Sequence, residues 1–80
     1  MYFVYILESK VDKSRYVGFT QDVKKRLADH NSGKATYSNT KRPYVLKWFG
    51  GFANKELALS FEKYLKQGSG FAFSRKHLVS

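Results

Sequence analysis

The apolar run at residues 2–7 constrains the fold of this chain more than any other feature. Its residues are aromatic, β-branched or otherwise apolar at both odd and even positions, so both faces of the strand that they form must be covered. Such a strand belongs in the middle of a sheet with packing layers on both sides. We therefore place this run at the centre of the sheet of an α+β domain.

A second strand is predicted to pair with the first. The polar, turn-forming stretch that follows the first strand gives way to strand composition at residues 15–20, which indicates a β-hairpin. With a six-residue loop, Leu7 lies opposite Tyr16. Tyr5 then lies opposite Gly18, which leaves space beside the tyrosine ring. Because directly opposed residues share a face of the sheet, Tyr5 and Tyr16 are expected to be diagonal neighbours.

The first helix carries recognisable signals at both ends. Thr20 or Asp22 can cap its N-terminus, and Gly33 suits its end after about Asn31. Leu27 belongs to its buried stripe. The sequence therefore predicts a helix directly after the hairpin.

Arg26 and His30 are four residues apart on this helix, so they project from the same side, next to the buried stripe. Considered in isolation, Arg26 is a surface partner of Asp22, and His30 is a capping or surface histidine. Both local interpretations stay open at this point.

A third strand and a second helix follow a polar loop. Residues 44–52 have strand composition, with a bulge or bend expected at Gly50 and Gly51. Asn54 is a good N-cap for a helix over residues 55–67.

The second helix is expected to turn Leu57, Phe61 and Leu65 towards the sheet, because they recur every four residues. Glu62 then lies at the border of this stripe. Considered in isolation, it is a solvated glutamate that pairs with Lys66.

The Gly-Ser-Gly sequence at residues 68–70 is predicted to break the second helix, and residues 71–79 to form a short terminal helix with Arg75 and Lys76 exposed. The expected fold is a single α+β domain over residues 1–80. It has a three-stranded, mainly antiparallel sheet flanked by helices in the order β-β-α-β-α-α.

Charge and composition narrow the class of function. Fifteen Lys and Arg against six Asp and Glu give a formal net charge of +9, which favours a phosphate-rich partner. The absence of cysteine excludes a disulfide scaffold, a Cys-ligated zinc site and a thiol nucleophile. The longest apolar run is far shorter than the ~20 residues of a membrane span, and no basic segment precedes it. We expect a cytoplasmic protein with no membrane partner.

Five features follow one another with suitable spacing: Phe3-Val4-Tyr5, Tyr16-Val17-Gly18, Arg26, His30 and Glu62. Together they resemble the GIY-YIG nuclease family. Residues 26–34, 42–43 and 61–66 are further similar to its small stand-alone bacterial members. Phe3 stands where the first motif has Gly, and Val17 replaces Ile, but both keep the strand character.

The resemblance implies an endonuclease that hydrolyses phosphodiester bonds in DNA with Mg²⁺ or Mn²⁺. Glu62 matches the family's metal-binding Glu, and Arg26 matches an Arg that engages phosphate oxygens. Tyr5 and Tyr16 match the motif tyrosines, one of which acts as general base or positions the attacking water. A phenol has a pKa of about 10 and needs a metal or a cation to ionise near neutral pH. His30 matches a position that shuttles a proton or donates to phosphate.

Further basic and aromatic residues are candidates for contacts with nucleic acid: Lys34, Tyr37, Lys41, Arg42, Arg75 and Lys76. No second domain is expected, so the chain recognises a nucleic-acid structure, binds without sequence preference or takes its specificity from a partner protein. DNA is the expected substrate and RNA the alternative. Two rival functions stay open, a non-catalytic nucleic-acid-binding module with the same fold and an interaction subunit that meets an acidic protein.

Overall fold

The computed structural model of the protein describes residues 1–33 and 41–78. Within them, three strands form one antiparallel sheet in the order β2-β1-β3, flanked by three α-helices. None of these helices is long and apolar enough to cross a membrane. In chain order the elements are β1 (Tyr2–Ser9), β2 (Arg15–Thr20), α1 (Val23–Ser32), β3 (Tyr44–Phe52), α2 (Lys55–Leu65) and α3 (Gly68–Phe73), followed by a π-helical segment, Ser74–Leu78. The predicted α+β fold and its order of elements are confirmed.

β1 is the central strand, and its middle is completely buried. Tyr5 and Leu7 point to one face of the sheet and are at most 1% exposed. The register pairs Leu7 with Tyr16 and Tyr5 with Gly18, as predicted. The predicted hairpin therefore sets which β2 side chains stand beside those of β1.

The helices α1 and α2 cover opposite faces of the sheet. Ala58 and Leu65 of α2 pack on the face that carries the even-numbered β1 residues. On the other face, Leu27 of α1 packs beside Tyr5 and Tyr44. Full burial of a leucine such as Leu65 contributes about 1.5–3 kcal/mol, so these contacts fix both helices on the sheet.

Both predicted N-caps are present. The backbone N–H of Lys25 donates to the Asp22 carboxylate at 3.0 Å, and α1 ends at Gly33 with φ 87°. The backbone N–H of Glu56 donates to the Asn54 side chain at 2.7 Å. These caps satisfy amides that have no partner inside the helix, so local sequence alone fixes where α1 and α2 begin.

The irregularity in β3 lies at Lys47, opposite the point in β1 where the register shifts. The prediction of a bulge at Gly50 and Gly51 is wrong, because both pair with β1 in regular register. Lys47 is exposed, so an extra residue there costs no packing. Glycine at position 50 makes room for a ring, since an added Cβ would lie 2.6 Å from Trp48.

The buried stripe of α2 differs from the predicted one. Leu57 is 61% exposed, whereas Ala58 and Leu65 are buried and Phe61 is half-buried. The expectation that Leu57 faces the sheet is wrong, because the stripe begins at the small residue that allows the helix to approach the strands closely. Glu62 lies at the border of the stripe, as predicted.

The residues after α2 also depart from expectation. α2 ends at Leu65 rather than at residue 67, and Gly68 begins α3, so residues 68–70 start a helix instead of separating two. Gly70 is buried against the end of α2, where an added Cβ would overlap the Tyr64 carbonyl. The glycine therefore serves close packing between α2 and α3.

Gly18 is expected to be intolerant of any side chain. An added Cβ would overlap Cζ and Oη of Tyr5 and lie 2.9 Å from its Cε1. Tyr5 sits on the central strand and is 1% exposed, so its ring cannot move without loss of packing. We expect Gly18→Ala to lower the free energy of unfolding by about 1–3 kcal/mol. This is a large share of the roughly 3–5 kcal/mol that a domain of this size holds.

Urea unfolding measures this effect, and Gly68→Ala is the matched control, because within residues 1–33 and 41–78 its added Cβ meets no atom within 4 Å outside its own helix backbone and chain neighbours. The control is expected to keep the wild-type midpoint. A wild-type midpoint for Gly18→Ala would show that the Tyr5 ring is not confined as described.

Candidate active site

Three aromatic side chains from three elements meet between the sheet and α1. The rings of Tyr5 on β1 and Tyr16 on β2 stack with centroids 6.2 Å apart, as their diagonal positions require. The His30 ring of α1 lies 6.0 Å from the first and 4.6 Å from the second. His30 Nε2 is 3.1 Å from Tyr5 Oη, within hydrogen-bond distance. We call Tyr5, Tyr16 and His30 the tyrosine–histidine cluster.

The members of this cluster differ in their access to solvent. Tyr5 is 1% exposed and His30 is completely buried, whereas Tyr16 is half-buried. The local interpretation of His30 as a surface or capping residue is wrong, because the last turn of α1 lies against the sheet. Tyr16 is therefore the phenol of this cluster that can meet a molecule arriving from solvent.

Arg26 adds a positive charge beside the cluster. Its Nη1 lies 3.7 Å from the Asp29 carboxylate, and the alternative pairing with Asp22 is wrong, since that carboxylate caps the helix. Its interaction with the Tyr5 phenol raises the pKa of Arg26, and the nearby Tyr16 acts in the same direction. The guanidinium thus stands next to both phenols.

The environment keeps the buried part of the cluster neutral. Burial raises the pKa of the Tyr5 phenol, and the Arg26 guanidinium only partly offsets this effect. The nearby Tyr16 phenol raises the pKa of Tyr5 further, and the Glu62 carboxylate makes the smallest contribution in the same direction. Burial lowers the pKa of His30 below its ordinary 6.5, and the Arg26 charge adds to this. At neutral pH, Tyr5 is a phenol and His30 an uncharged imidazole.

Glu62 is the candidate metal ligand. Its side chain is 19% exposed, and Oε2 lies 3.2 Å from Lys66 Nζ, the pair that the local interpretation predicts. Across residues 1–33 and 41–78, no three His, Cys, Asp or Glu side chains gather as a metal-binding group. A single carboxylate suits Mg²⁺ or Mn²⁺, which keep bound waters and accept phosphate oxygens. Zinc takes three or four protein ligands. The donor set therefore fits a hard divalent cation.

Of the candidate nucleic-acid contacts, Lys41 and Arg42 are exposed just before β3. The Lys41 ammonium lies 2.9 Å from the Asp12 carboxylate, which neutralises part of its charge. Lys34 and Tyr37 lie outside the described residues.

Arg75 and Lys76 are exposed in the π-helical segment, as expected. The Arg75 guanidinium lies 5.9 Å from the centre of the Phe71 ring, within the range of a cation–π contact. This second basic area belongs to the α2 side of the sheet, since the segment follows α3, which packs on α2.

Asn31 and Tyr44 join the cluster to β3, and sequence reasoning missed both. The Tyr44 backbone N–H donates to Asn31 Oδ1 at 2.6 Å, and Asn31 Nδ2 donates to the Tyr44 carbonyl at 3.1 Å. The Tyr44 ring lies 5.8 Å from His30 and is 6% exposed. The Asn31 amide thus bonds both backbone groups of Tyr44, as a neighbouring strand would. No periodicity in the sequence predicts this contact.

Protonation of His30 is expected to destabilise the fold. Because its pKa is lowered in the folded state, the unfolded chain binds a proton more readily. The contribution of neutral His30 to stability is therefore complete above its ordinary pKa of 6.5 and declines as the pH falls below it.

Urea unfolding at about pH 7.5 and about pH 5.5 measures this decline. His30→Gln should reduce the difference between the two midpoints, and His77→Gln, which changes an exposed histidine, should retain it. An undiminished difference in His30→Gln would contradict the burial argument.

Comparison with known proteins defines the class. The chain matches the model of the GIY-YIG catalytic domain over residues 1–76, and it belongs to this family. The resemblance seen in the sequence is thereby confirmed, and membership implies a nuclease-like function.

Within the family the chain is similar to the UPF0213 proteins. One from Streptococcus pneumoniae serotype 4 is 47% identical over 66 residues, 81% of this chain and 66% of the relative. One from Streptococcus pyogenes serotype M3 is 46% identical over 81% of this chain and 71% of the relative. The chain thus spans slightly less than two thirds of the pneumococcal protein. The solution NMR structure of a UPF0213 protein from Bacillus halodurans has a TM-score of 0.59 at 35% identity, covering 98% of this chain and 87% of that one.

Proposed function

We propose that this chain is a single-domain, cytoplasmic endonuclease that hydrolyses phosphodiester bonds in DNA with Mg²⁺ or Mn²⁺ at Glu62. One observation carries the proposal: the three rings of the tyrosine–histidine cluster pack together, and Arg26 lies beside the Tyr5 phenol, which raises the pKa of Arg26. A net charge of +9 supports a polyanionic substrate.

Arg26 is the group that engages the scissile phosphate. Its fork can donate to two phosphate oxygens, and Asp29 holds it on the side of α1 next to the phenols. As the phosphorus becomes five-coordinate, negative charge grows on these oxygens, and a fixed guanidinium stabilises it. A divalent cation bound at Glu62 would lower the pKa of the attacking water and offset further charge on the phosphate.

Tyr16 orients the attacking water, because it is the phenol with access to solvent. The water oxygen forms a bond to phosphorus as one bridging P–O bond breaks. The proton that this water loses passes to solvent, and the leaving oxygen takes a proton from solvent to become a hydroxyl group. Tyr5 and His30 lie beneath Tyr16, uncharged and mutually within hydrogen-bond distance, and hold its ring in place. They are positioning residues in this scheme.

The exposed cations give a grip on the DNA backbone that does not depend on sequence: Lys41, Arg42, Arg75 and Lys76. Cleavage is therefore expected to follow DNA structure or to be non-specific. A partner protein would add further specificity.

The test uses labelled single-stranded, duplex, flap and branched DNA, together with RNA, in Mg²⁺, Mn²⁺ or EDTA. Cleavage of DNA in either metal and none in EDTA is expected. Glu62→Ala purified in the same way controls for a contaminating nuclease, and cleavage that persists in it would contradict the proposal. Binding of nucleic acid without cleavage by the wild-type chain would identify a non-catalytic binding module.

A further inference from the structure

A pocket of about 290 Å³ lies between the sheet and the helices α2 and α3. Ile6, Val17 and Leu65 line it, and these belong to the face of the sheet opposite the tyrosine–histidine cluster. Tyr16 borders it as well. Its volume is close to the lower end of the roughly 300–1,000 Å³ of small-molecule sites.

Arg15 lines this pocket and carries an unsatisfied donor. Its Nη1 is buried and forms no hydrogen bond to any atom of residues 1–33 and 41–78. Arg15 pairs with Glu8 in the strand register, but no ion pair joins their side chains within that part of the chain. A buried guanidinium N–H without an acceptor costs stability. A ligand with anionic oxygens would satisfy it.

The rest of the lining narrows the chemistry of that ligand. Lys66 supplies a second positive charge, and its side chain is 55% exposed, so it can turn from Glu62 towards an anion in the pocket. Phe71 supplies an aromatic ring that is 46% exposed. Among the residues that the structure describes, no carboxylate lines the pocket. Two cations suit a phosphate, and an exposed ring on an apolar wall suits a planar base.

We propose that this pocket binds one nucleotide, with its phosphate on Arg15 and Lys66 and its base against Phe71. The pocket volume limits the occupant to a single unit. The nucleotide is either the terminal unit of a strand or a free mononucleotide. The first source rests on the proposed function, because a DNA substrate would bring it there.

Calorimetric titration in EDTA tests the pocket without cleavage. We expect deoxyadenosine 5′-monophosphate to bind, and deoxyadenosine or inorganic phosphate alone to bind at least about tenfold more weakly. Arg15→Met should weaken binding of the nucleotide by about 10- to 100-fold, the value of a charge-assisted hydrogen bond. Lys24→Met, which removes an exposed cation of α1 outside the pocket, should bind as the wild type does. Equal binding by Arg15→Met, or by phosphate alone, would overturn the assignment.

The stability of the variant separates loss of the ligand contact from loss of the fold. Arg15→Met replaces a half-buried side chain that carries one unsatisfied buried donor with an apolar chain, so its urea midpoint should equal or exceed that of the wild type. A lower midpoint would mean that Arg15 is a structural residue, and the proposal would fail.

Two oligonucleotides, with and without a 5′-phosphate, distinguish the sources. Preference for the phosphorylated strand that disappears in Arg15→Met supports the terminal unit, and equal binding of both strands together with binding of the mononucleotide supports the free ligand. Arg15 takes no part in the proposed catalysis, so a failure of cleavage and a failure of this titration are independent results.

Discussion

Tyr16→Phe is expected to lower the rate of DNA cleavage by about 10²-fold, because the attacking water loses the hydroxyl that orients it. The phenylalanine ring keeps the stacking on Tyr5 at 6.2 Å and the edge contact with His30 at 4.6 Å, so the loss is confined to one hydroxyl. That hydroxyl belongs to the phenol with solvent access, to which we assign the attacking water. Single-turnover cleavage in Mg²⁺ measures the effect, because it excludes product release.

Tyr44→Phe is the matched control. Its ring also contacts His30, at 5.8 Å, and packs in the same cluster as Tyr5, but its hydroxyl has no assigned role in the reaction. We expect it to cleave within a few-fold of the wild-type rate. Equal losses in Tyr16→Phe and Tyr44→Phe would mean that the packing of the rings, rather than one phenol, sets the rate.

Glu62→Gln is expected to lower metal-dependent cleavage by at least about 10³-fold, because the amide keeps the shape of the side chain and removes the charge that a divalent cation requires. It also removes the ion pair with Lys66, which releases a cation towards the DNA. DNA affinity in EDTA should therefore be unchanged or slightly higher. The two measurements together separate catalysis from binding.

Glu56→Gln is the control for this change, since it removes an exposed carboxylate from the first turn of the same helix. It should cleave DNA at the wild-type rate. A Glu62→Gln variant that cleaves as well as Glu56→Gln would exclude Glu62 as the metal ligand. A Glu62→Gln variant that loses DNA binding would place its role in recognition instead.

The parts of the fold that follow from local sequence could be predicted. The apolar run of β1 marks a central strand because both of its faces are apolar. The hairpin register follows from the loop length, and it alone makes Tyr5 and Tyr16 diagonal neighbours. Asp22 and Asn54 predict the starts of their helices, because a capping side chain accepts a hydrogen bond from a backbone N–H two or three residues later.

The errors concern features that depend on distant contacts. Leu57 and Leu65 belong to the same four-residue repeat of α2, yet Leu57 is exposed and Leu65 is buried. The way in which Ala58 packs on the sheet decides which side of the helix is buried. From the sequence, Gly70 is interpreted as a helix breaker, whereas in the structure it packs closely against the end of α2. The periodicity of a helix shows which residues share a side, whereas the burial of that side depends also on the element that packs against it.

The candidate site divides in the same way. A family resemblance singles out Arg26 and Glu62, but no pattern in the sequence shows that Arg26 pairs with Asp29 and lies beside the Tyr5 phenol. The sequence indicates Asn31 only as the end of α1, yet its amide holds the backbone of β3. Arg15 stands out only because its buried donor has no partner among the described residues.

We propose one catalytic site that is formed by residues from both faces of the sheet. Its most direct test is the single-turnover cleavage rate in Mg²⁺ of Tyr16→Phe, Glu62→Asp and the double variant, where the aspartate retains enough activity to measure. If both residues act on the same phosphate, their effects are not additive. The double variant should then cleave at least about tenfold faster than the rate expected if the two single-variant losses multiplied. A double variant whose loss equals that product would show two independent contributions and contradict the claim.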